Sequence, residues 1–171
     1  MHMRTVHEKF KWSVICISVF AVAMALRLVY LHQIRRTPFF DMALGDAQIY
    51  HDWAKQIAAG DWLGNKVFFH PPLYAYLLGV FYKMFGGKIA VARSINIILG
   101  SLSCVLLADT ARRVFSKPAG IVAGLLLAIY APAIFYDGLF HTTALSGLLL
   151  CLMIWLLTIA ADSPVNIWLW P

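Results

Sequence analysis

The chain has 171 residues, of which 61% are hydrophobic and only 13% are charged. Because soluble domains carry about 25% charged residues, this composition excludes an ordinary soluble protein and indicates an integral membrane protein. The net charge is +6, but the basic residues are scattered between long apolar stretches, so we do not expect a nucleic acid partner.

The first apolar stretch covers residues 12–34 and is long enough to cross about 30 Å of hydrocarbon. Its length favours a membrane anchor over a cleaved export signal, although basic residues precede it. Arg27 lies inside this stretch, two turns before its outer end. Its side chain can extend to the lipid headgroups, but an arginine within a span is also a candidate functional residue, here for binding phosphate.

A long loop, about residues 35–88, follows the first span, and loops of this length often carry function. Within it, the spacing of apolar residues over 46–59 predicts an amphipathic helix that lies on the membrane surface. Asp46 begins this helix. It has two interpretations that do not exclude each other, a helix N-cap and a general base that takes a proton from an acceptor hydroxyl.

A second helix in the loop is predicted over residues 71–85, directly after His70. About 15 residues reach only roughly 22 Å, which is too short to cross the bilayer. The segment is rich in tyrosine and phenylalanine, so we expect it in the outer interface. His70 precedes two prolines that fix the helix entrance. It is either an exposed loop histidine, or a phosphate donor or proton carrier beside Asp46.

The next predicted span covers residues 89–111, with Arg93 in its first turn. This arginine can extend to the headgroups or bind a lipid-linked phosphate. A short basic loop with Arg112, Arg113 and Lys117 follows the span. Such loops, like the basic N-terminus, favour the cytoplasmic side. Two crossings between them place the loop over 35–88 outside the cytoplasm.

Two further spans are predicted over residues 119–136 and 142–161, with Asp137 in the external turn between them. Asp137 is explained equally well as a turn residue or as a second acid on the same side as Asp46. No cofactor is firmly expected. A divalent metal is an alternative for which no ligand spacing provides support; its candidate ligands are Asp46, Asp137, His70 and His141.

From residue 165 the sequence has the character of a further span, with two tryptophans suited to headgroup depth. We therefore expect residues 1–171 to be one membrane domain that is truncated. The predicted fold class is all-α, a polytopic transmembrane helical protein with interfacial helices in a large first external loop.

The order of several short motifs resembles the amino-terminal part of a GT-C superfamily glycosyltransferase. The motifs are Gly-Asp-Ala-Gln-Ile-Tyr at 45–50, His-Pro-Pro-Leu-Tyr at 70–74, Arg-Ser-Ile-Asn at 93–96 and Ala-Arg-Arg-Val-Phe at 111–115. This superfamily contains protein O-mannosyltransferases and lipid A aminoarabinose transferases. The resemblance implies a membrane enzyme that moves a sugar from a polyprenyl-phosphate donor to a hydroxyl of a protein, lipid or polysaccharide on the outer face.

The resemblance also implies roles for particular residues. Asp46 matches the first-loop acid regarded as the catalytic base, His70 a phosphate- or acceptor-binding residue, and Arg93 the arginine that begins the second span. Ala47 departs from the family, since many relatives have a glutamate after the catalytic acid, and Asp137 stands near the place of another glutamate. Much of the donor site is expected beyond residue 171, so this chain alone is expected to be inactive.

The location implied by the resemblance is the bacterial inner membrane, with membrane lipids around the spans. A transporter or a non-catalytic membrane subunit is the alternative class. Transporters place ionisable groups near the middle of the membrane, whereas most candidate residues here are predicted at the outer surface. The sequence therefore favours the transferase.

Overall fold

The computed structural model describes residues 2–38, 40–63 and 69–162. In these parts the chain forms helices and no strand, as the predicted all-α class requires. The helices are α1 (His2–Ile34), α2 (Asp46–Ala58), α3 (Pro72–Phe85), α4 (Ile89–Val114), α5 (Lys117–Ile129), α6 (Ala131–Gly138) and α7 (Thr143–Asp162). The segment from residue 165, predicted to start a further span, lies outside the described residues.

Three segments of these helices are long and apolar enough to cross a membrane: Phe10–Ile34, Ile89–Val114 and Thr143–Ala161. The pair α5 and α6 passes the same criterion together, with a bend of 53° at a short break. The prediction of a polytopic helical membrane protein is confirmed.

The break between α5 and α6 divides the stretch that the sequence predicts as one span over 119–136. Pro132 lies in the first turn of α6, and a helix continued through it would lose one backbone hydrogen bond and clash with the carbonyl one turn earlier. Tyr130 instead adopts an extended conformation. The bend directs α6 towards α1, which places Asp137 against Arg27.

Helix α4 lies at the centre and packs against α1, α5, α6 and α7. Its contact with α5 is close because α5 presents glycine at that surface. A Cβ atom added at Gly120 would lie 2.6 Å from the carbonyl oxygen of Ala108, and one at Gly124 would lie 2.8 Å from the Ala108 side chain. Such small residues let helices approach closely within a membrane.

Helices α2 and α3 pack side by side and share a hydrophobic core with residues from the first turns of α4. Gly79 of α3 permits this contact, since a Cβ atom there would lie 2.5 Å from Ile57 of α2. The shared core includes Tyr50, Tyr74 and Phe140, whose rings make edge-to-face contacts. The packing fixes both loop helices over one end of the spans.

At the opposite end of α4, the Asp109 carboxylate joins three spans, and we call this cluster the Asp109 node. Its oxygens accept hydrogen bonds from the indole nitrogens of Trp12 on α1, at 2.7 Å, and Trp155 on α7, at 2.9 Å. Arg112 and Arg113 donate to the same carboxylate. A single acid therefore ties α1, α4 and α7 together.

Replacing Asp109 by alanine is expected to lower the free energy of unfolding by about 1–3 kcal/mol, because it leaves two indole N–H groups and two guanidinium groups without their acceptor. The check is unfolding of the purified protein in mixed detergent micelles at rising SDS concentration. Asp52→Ala is the control, since Asp52 is exposed and its bond is to Gln48 of the same helix. Equal stability of the two variants would contradict a role of the Asp109 node in stabilising the fold.

Candidate functional site

A cleft of about 440 Å³ lies where the end of α1, the start of α2, the first turn of α4 and the turn after α6 meet. We call it the first cleft. Its volume is within the range of about 300–1,000 Å³ that is usual for small-molecule sites. The lining residues with polar side chains are Tyr30, Thr37, Asp46, Arg93 and His141.

Asp46 is the first residue of α2, and its exposed side chain lines the first cleft. The N-cap interpretation is wrong, because the cap position is occupied by Gly45, whose φ of 60° is in the region that favours glycine. A carboxylate in the first helical turn is stabilised by the helix dipole. The side chain is exposed, so its carboxylate is accessible to a ligand. Among the residues that the structure describes, it forms no ion pair.

Arg93 lies in the first turn of α4 and forms another wall of the first cleft. It is only 5% exposed. Its Nη1 donates to the carbonyl oxygen of Gly138 at 2.5 Å, and its guanidinium lies 5.0 Å from the centroid of the Phe40 ring. These contacts hold the guanidinium within the protein, in place of the extension to the headgroups that the sequence also allowed. The cleft thus combines a fixed cation with an accessible acid.

Arg27 and Asp137 do not line the first cleft, although the sequence made both of them candidates for it. They form a buried ion pair, with Arg27 Nε 2.7 Å from Asp137 Oδ2 and side-chain exposures of 1% and 7%. Arg27 also donates to the carbonyl oxygen of Ala23. The pair lies against Gly100 of α4, where a Cβ atom would overlap the Asp137 carboxylate. The structure therefore brings these two residues to each other.

His70 is half-buried and lies next to Tyr50, with ring centroids 5.5 Å apart. It precedes Pro71 and Pro72, the first of which caps α3. Tyr50 is one helical turn after Asp46, so it lies near both the acid and this histidine. Burial and, after it, the charge of Asp46 raise the pKa of Tyr50, which keeps its hydroxyl protonated.

His141, a candidate metal ligand in the sequence, lines the first cleft together with Asp46. Its Nδ1 lies 2.9 Å from the hydroxyl of Thr143. Within the described parts of the chain, no group of three or more histidine, cysteine, aspartate or glutamate side chains is arranged to hold a metal ion.

Asn96 has a positioning role that the sequence did not reveal. It is fully buried, and its Nδ2 donates to the carbonyl oxygens of Leu139 and His141 at 2.9 and 3.1 Å. Its Oδ1 accepts a hydrogen bond from Tyr74 at 3.1 Å. The sequence feature that could have identified it is an amide within an apolar span, three residues after Arg93 and therefore on the same helical face.

Asn96→Leu is expected to lower the free energy of unfolding by about 1–3 kcal/mol, because buried carbonyl groups lose their donor. Tyr74→Phe removes one of the three bonds and is expected to lower it by about 0.5–1.5 kcal/mol. Both are measured by SDS-induced unfolding. A larger effect for Tyr74→Phe than for Asn96→Leu would show that the amide is not the centre of this network.

The sequence model of a family described as dolichyl-phosphate-mannose-protein mannosyltransferase matches residues 69–170, which is more than half of the chain. The matched part contains His70, Arg93 and Asp137, whereas Arg27 and Asp46 precede it. No curated protein and no solved structure matches.

Proposed function

Because the chain belongs to the dolichyl-phosphate-mannose-protein mannosyltransferase family, we propose that it transfers a sugar from a polyprenyl-phosphate donor to a hydroxyl-bearing acceptor at the membrane surface. The family is one of membrane glycosyltransferases, which agrees with the apolar helices. The observation that carries the finer proposal is the first cleft, in which the accessible carboxylate of Asp46 faces the same space as the guanidinium of Arg93.

The proposed reaction is a displacement at the anomeric carbon of the sugar. The acceptor oxygen forms a bond to that carbon, and the bond from the carbon to the phosphate oxygen breaks. The electron pair leaves with polyprenyl phosphate. Asp46 takes the proton of the acceptor hydroxyl as general base. Arg93 stabilises the charge on the departing phosphate, which a fixed guanidinium can bind through two hydrogen bonds.

His70, which lies beside Tyr50, is proposed to contact the phosphate or the acceptor. Its half-buried position at the start of α3 leaves part of the ring accessible. Arg27 and Asp137 are proposed to support the cleft, since their pairing and burial leave neither group available to a substrate. This supporting role replaces the two roles expected from the sequence, in which Arg27 binds the phosphate and Asp137 is a second acid.

The orientation is also part of the proposal. Clusters of arginine and lysine in short loops favour the cytoplasmic side, which places the Asp109 node, with Arg112 and Arg113, in the cytoplasm. The first cleft lies at the other end of α4. In this orientation it faces the outer side of the membrane, which is expected to be the bacterial inner membrane. Cysteine labelling from outside intact cells at Asp52 and at Lys117 tests this, with labelling expected only at position 52.

The direct test of function uses the full-length protein in liposomes with radiolabelled polyprenyl-phosphate mannose. Release of polyprenyl phosphate is expected to depend on an added hydroxyl-bearing acceptor. Donors with other sugars on the same lipid, including aminoarabinose, define the sugar that the protein uses. Binding of every donor without any release would contradict the proposal and favour a non-catalytic subunit.

A further inference from the structure

A second cleft, of about 460 Å³, lies beside the first and contains none of the residues assigned to sugar transfer. The lining residues that determine its chemistry are Arg35, Asp41, His51, Lys88, Ile89 and Ala90. Among the residues that the structure describes, Phe40 is the one that lines both clefts. The proposed sugar transfer therefore does not explain the second cleft.

The second cleft lies at the level of the lipid headgroups. Arg35 directly follows the span Phe10–Ile34, and Lys88 directly precedes the span Ile89–Val114. The helices α1 and α4 run antiparallel. Arg27, late in α1, lies against Gly100 of α4, whereas Trp12, early in α1, bonds to Asp109, which comes later in α4. Both cations are therefore at the same surface of the membrane.

The second cleft contains charged groups of both signs and one histidine. Arg35 and Lys88 are exposed cations, and Asp41 is an exposed acid. His51 is buried, with its Nδ1 2.8 Å from the hydroxyl of Tyr82. Burial and, after it, the charge of Lys55 lower the pKa of His51. At neutral pH the cleft thus offers two positive groups, one negative group and an uncharged imidazole.

A ligand that complements this cleft carries both a phosphate and a protonated amine. Arginine and lysine bind phosphate oxygens through charge-assisted hydrogen bonds, and a carboxylate accepts hydrogen bonds from an ammonium group. Among the zwitterionic membrane phospholipids, phosphatidylethanolamine has both groups in one headgroup. Phosphatidylcholine has no N–H to donate, and phosphatidylglycerol has no amine.

We propose that the second cleft binds the headgroup of phosphatidylethanolamine from the surrounding leaflet, with the phosphate at Arg35 and Lys88 and the ammonium at Asp41. The apolar side chains of Ile89 and Ala90, at the start of a span, then contact the glycerol region. The argument for this ligand does not use sugar transfer, because neither Asp46 nor Arg93 lines the second cleft, although the charge of Asp41 acts on Arg93.

The test measures lipid retention by the full-length protein, extracted in mild detergent from liposomes with equal parts of the three phospholipids and analysed by native mass spectrometry. Phosphatidylethanolamine is expected to be retained about tenfold more than phosphatidylcholine. Asp41→Asn is expected to remove this preference while leaving phosphate binding intact. Lys88→Gln and Arg35→Gln are each expected to reduce retention of all three lipids about tenfold.

Arg36→Gln and Lys83→Gln are the matched controls, because both residues are exposed cations of the same loop that do not line the cleft. They are expected to leave retention unchanged. Equal retention of phosphatidylcholine, or an equal loss in Arg36→Gln, would overturn the proposal. Displacement of phosphatidylethanolamine by added polyprenyl phosphate, with no effect of Asp41→Asn, would also overturn it and assign the cleft to the sugar donor.

Discussion

Replacing Asp46 by asparagine is expected to reduce sugar transfer by the full-length protein by about 10²- to 10⁴-fold. Asparagine has nearly the same shape as aspartate, but its amide cannot take the proton of an acceptor hydroxyl. Asp46 is exposed at the start of α2, where the helix does not depend on its side chain for a cap. Insertion into the membrane should therefore be unchanged. The measurements are the rate of polyprenyl phosphate release and the amount of protein in the membrane fraction.

Asp52→Asn is the matched control for this experiment. Asp52 is on the same helix, is also exposed and accepts a hydrogen bond from Gln48 at 2.8 Å, but it does not line the first cleft. Its replacement is expected to change the rate less than twofold, because a surface substitution away from the first cleft leaves the cleft unchanged. A wild-type rate for Asp46→Asn, or an equal fall in both variants, would remove Asp46 as the base.

The second large effect is expected from breaking the ion pair between Arg27 and Asp137. Arg27→Ala or Asp137→Ala leaves the remaining charge buried without its partner, which is expected to lower the free energy of unfolding by about 3–5 kcal/mol. Gly100→Ala is expected to act on the same pair, since the added methyl group would overlap the Asp137 carboxylate. SDS-induced unfolding of each variant in detergent micelles measures the loss.

The double variant with Arg27→Met and Asp137→Leu separates the role of the pair in folding from a role in catalysis. Apolar side chains of similar volume can replace a buried ion pair without loss of stability, so this variant is expected to regain most of the stability and the sugar transfer. A stable double variant that does not transfer sugar would instead show that Arg27 or Asp137 acts on the substrate, as the sequence suggested.

Most of the helical architecture follows from local properties of the sequence. The length and apolarity of a segment determine whether it can cross the membrane, and these are visible without a structure. The same holds for the loop helices, where periodicity placed an amphipathic helix beginning at Asp46 and a proline pair placed the start of the next. The break at Tyr130 was missed because the apolar run continues through Pro132, although that proline was a usable signal.

The candidate site was less predictable, because it depends on which residues meet after packing. Arg27 and Asp137 are 110 positions apart, and each has a sufficient local explanation, one as a headgroup contact and the other as a turn residue. The space for their pair is provided by Gly100, which gives no sign of that role in the sequence. Arg93 illustrates the same point, since its partners are a carbonyl group after α6 and the Phe40 ring.

The Phe40 ring lines both clefts, so a shift of this ring on ligand binding would link them thermodynamically. It is 6% exposed and held against the guanidinium of Arg93. A molecule in either cleft that prefers one position of this ring changes the affinity of the other cleft, and the change is equal in both directions. If both clefts bind the ligands proposed for them, the lipid composition of the bilayer tunes how tightly the donor is held, and the membrane itself acts as an effector.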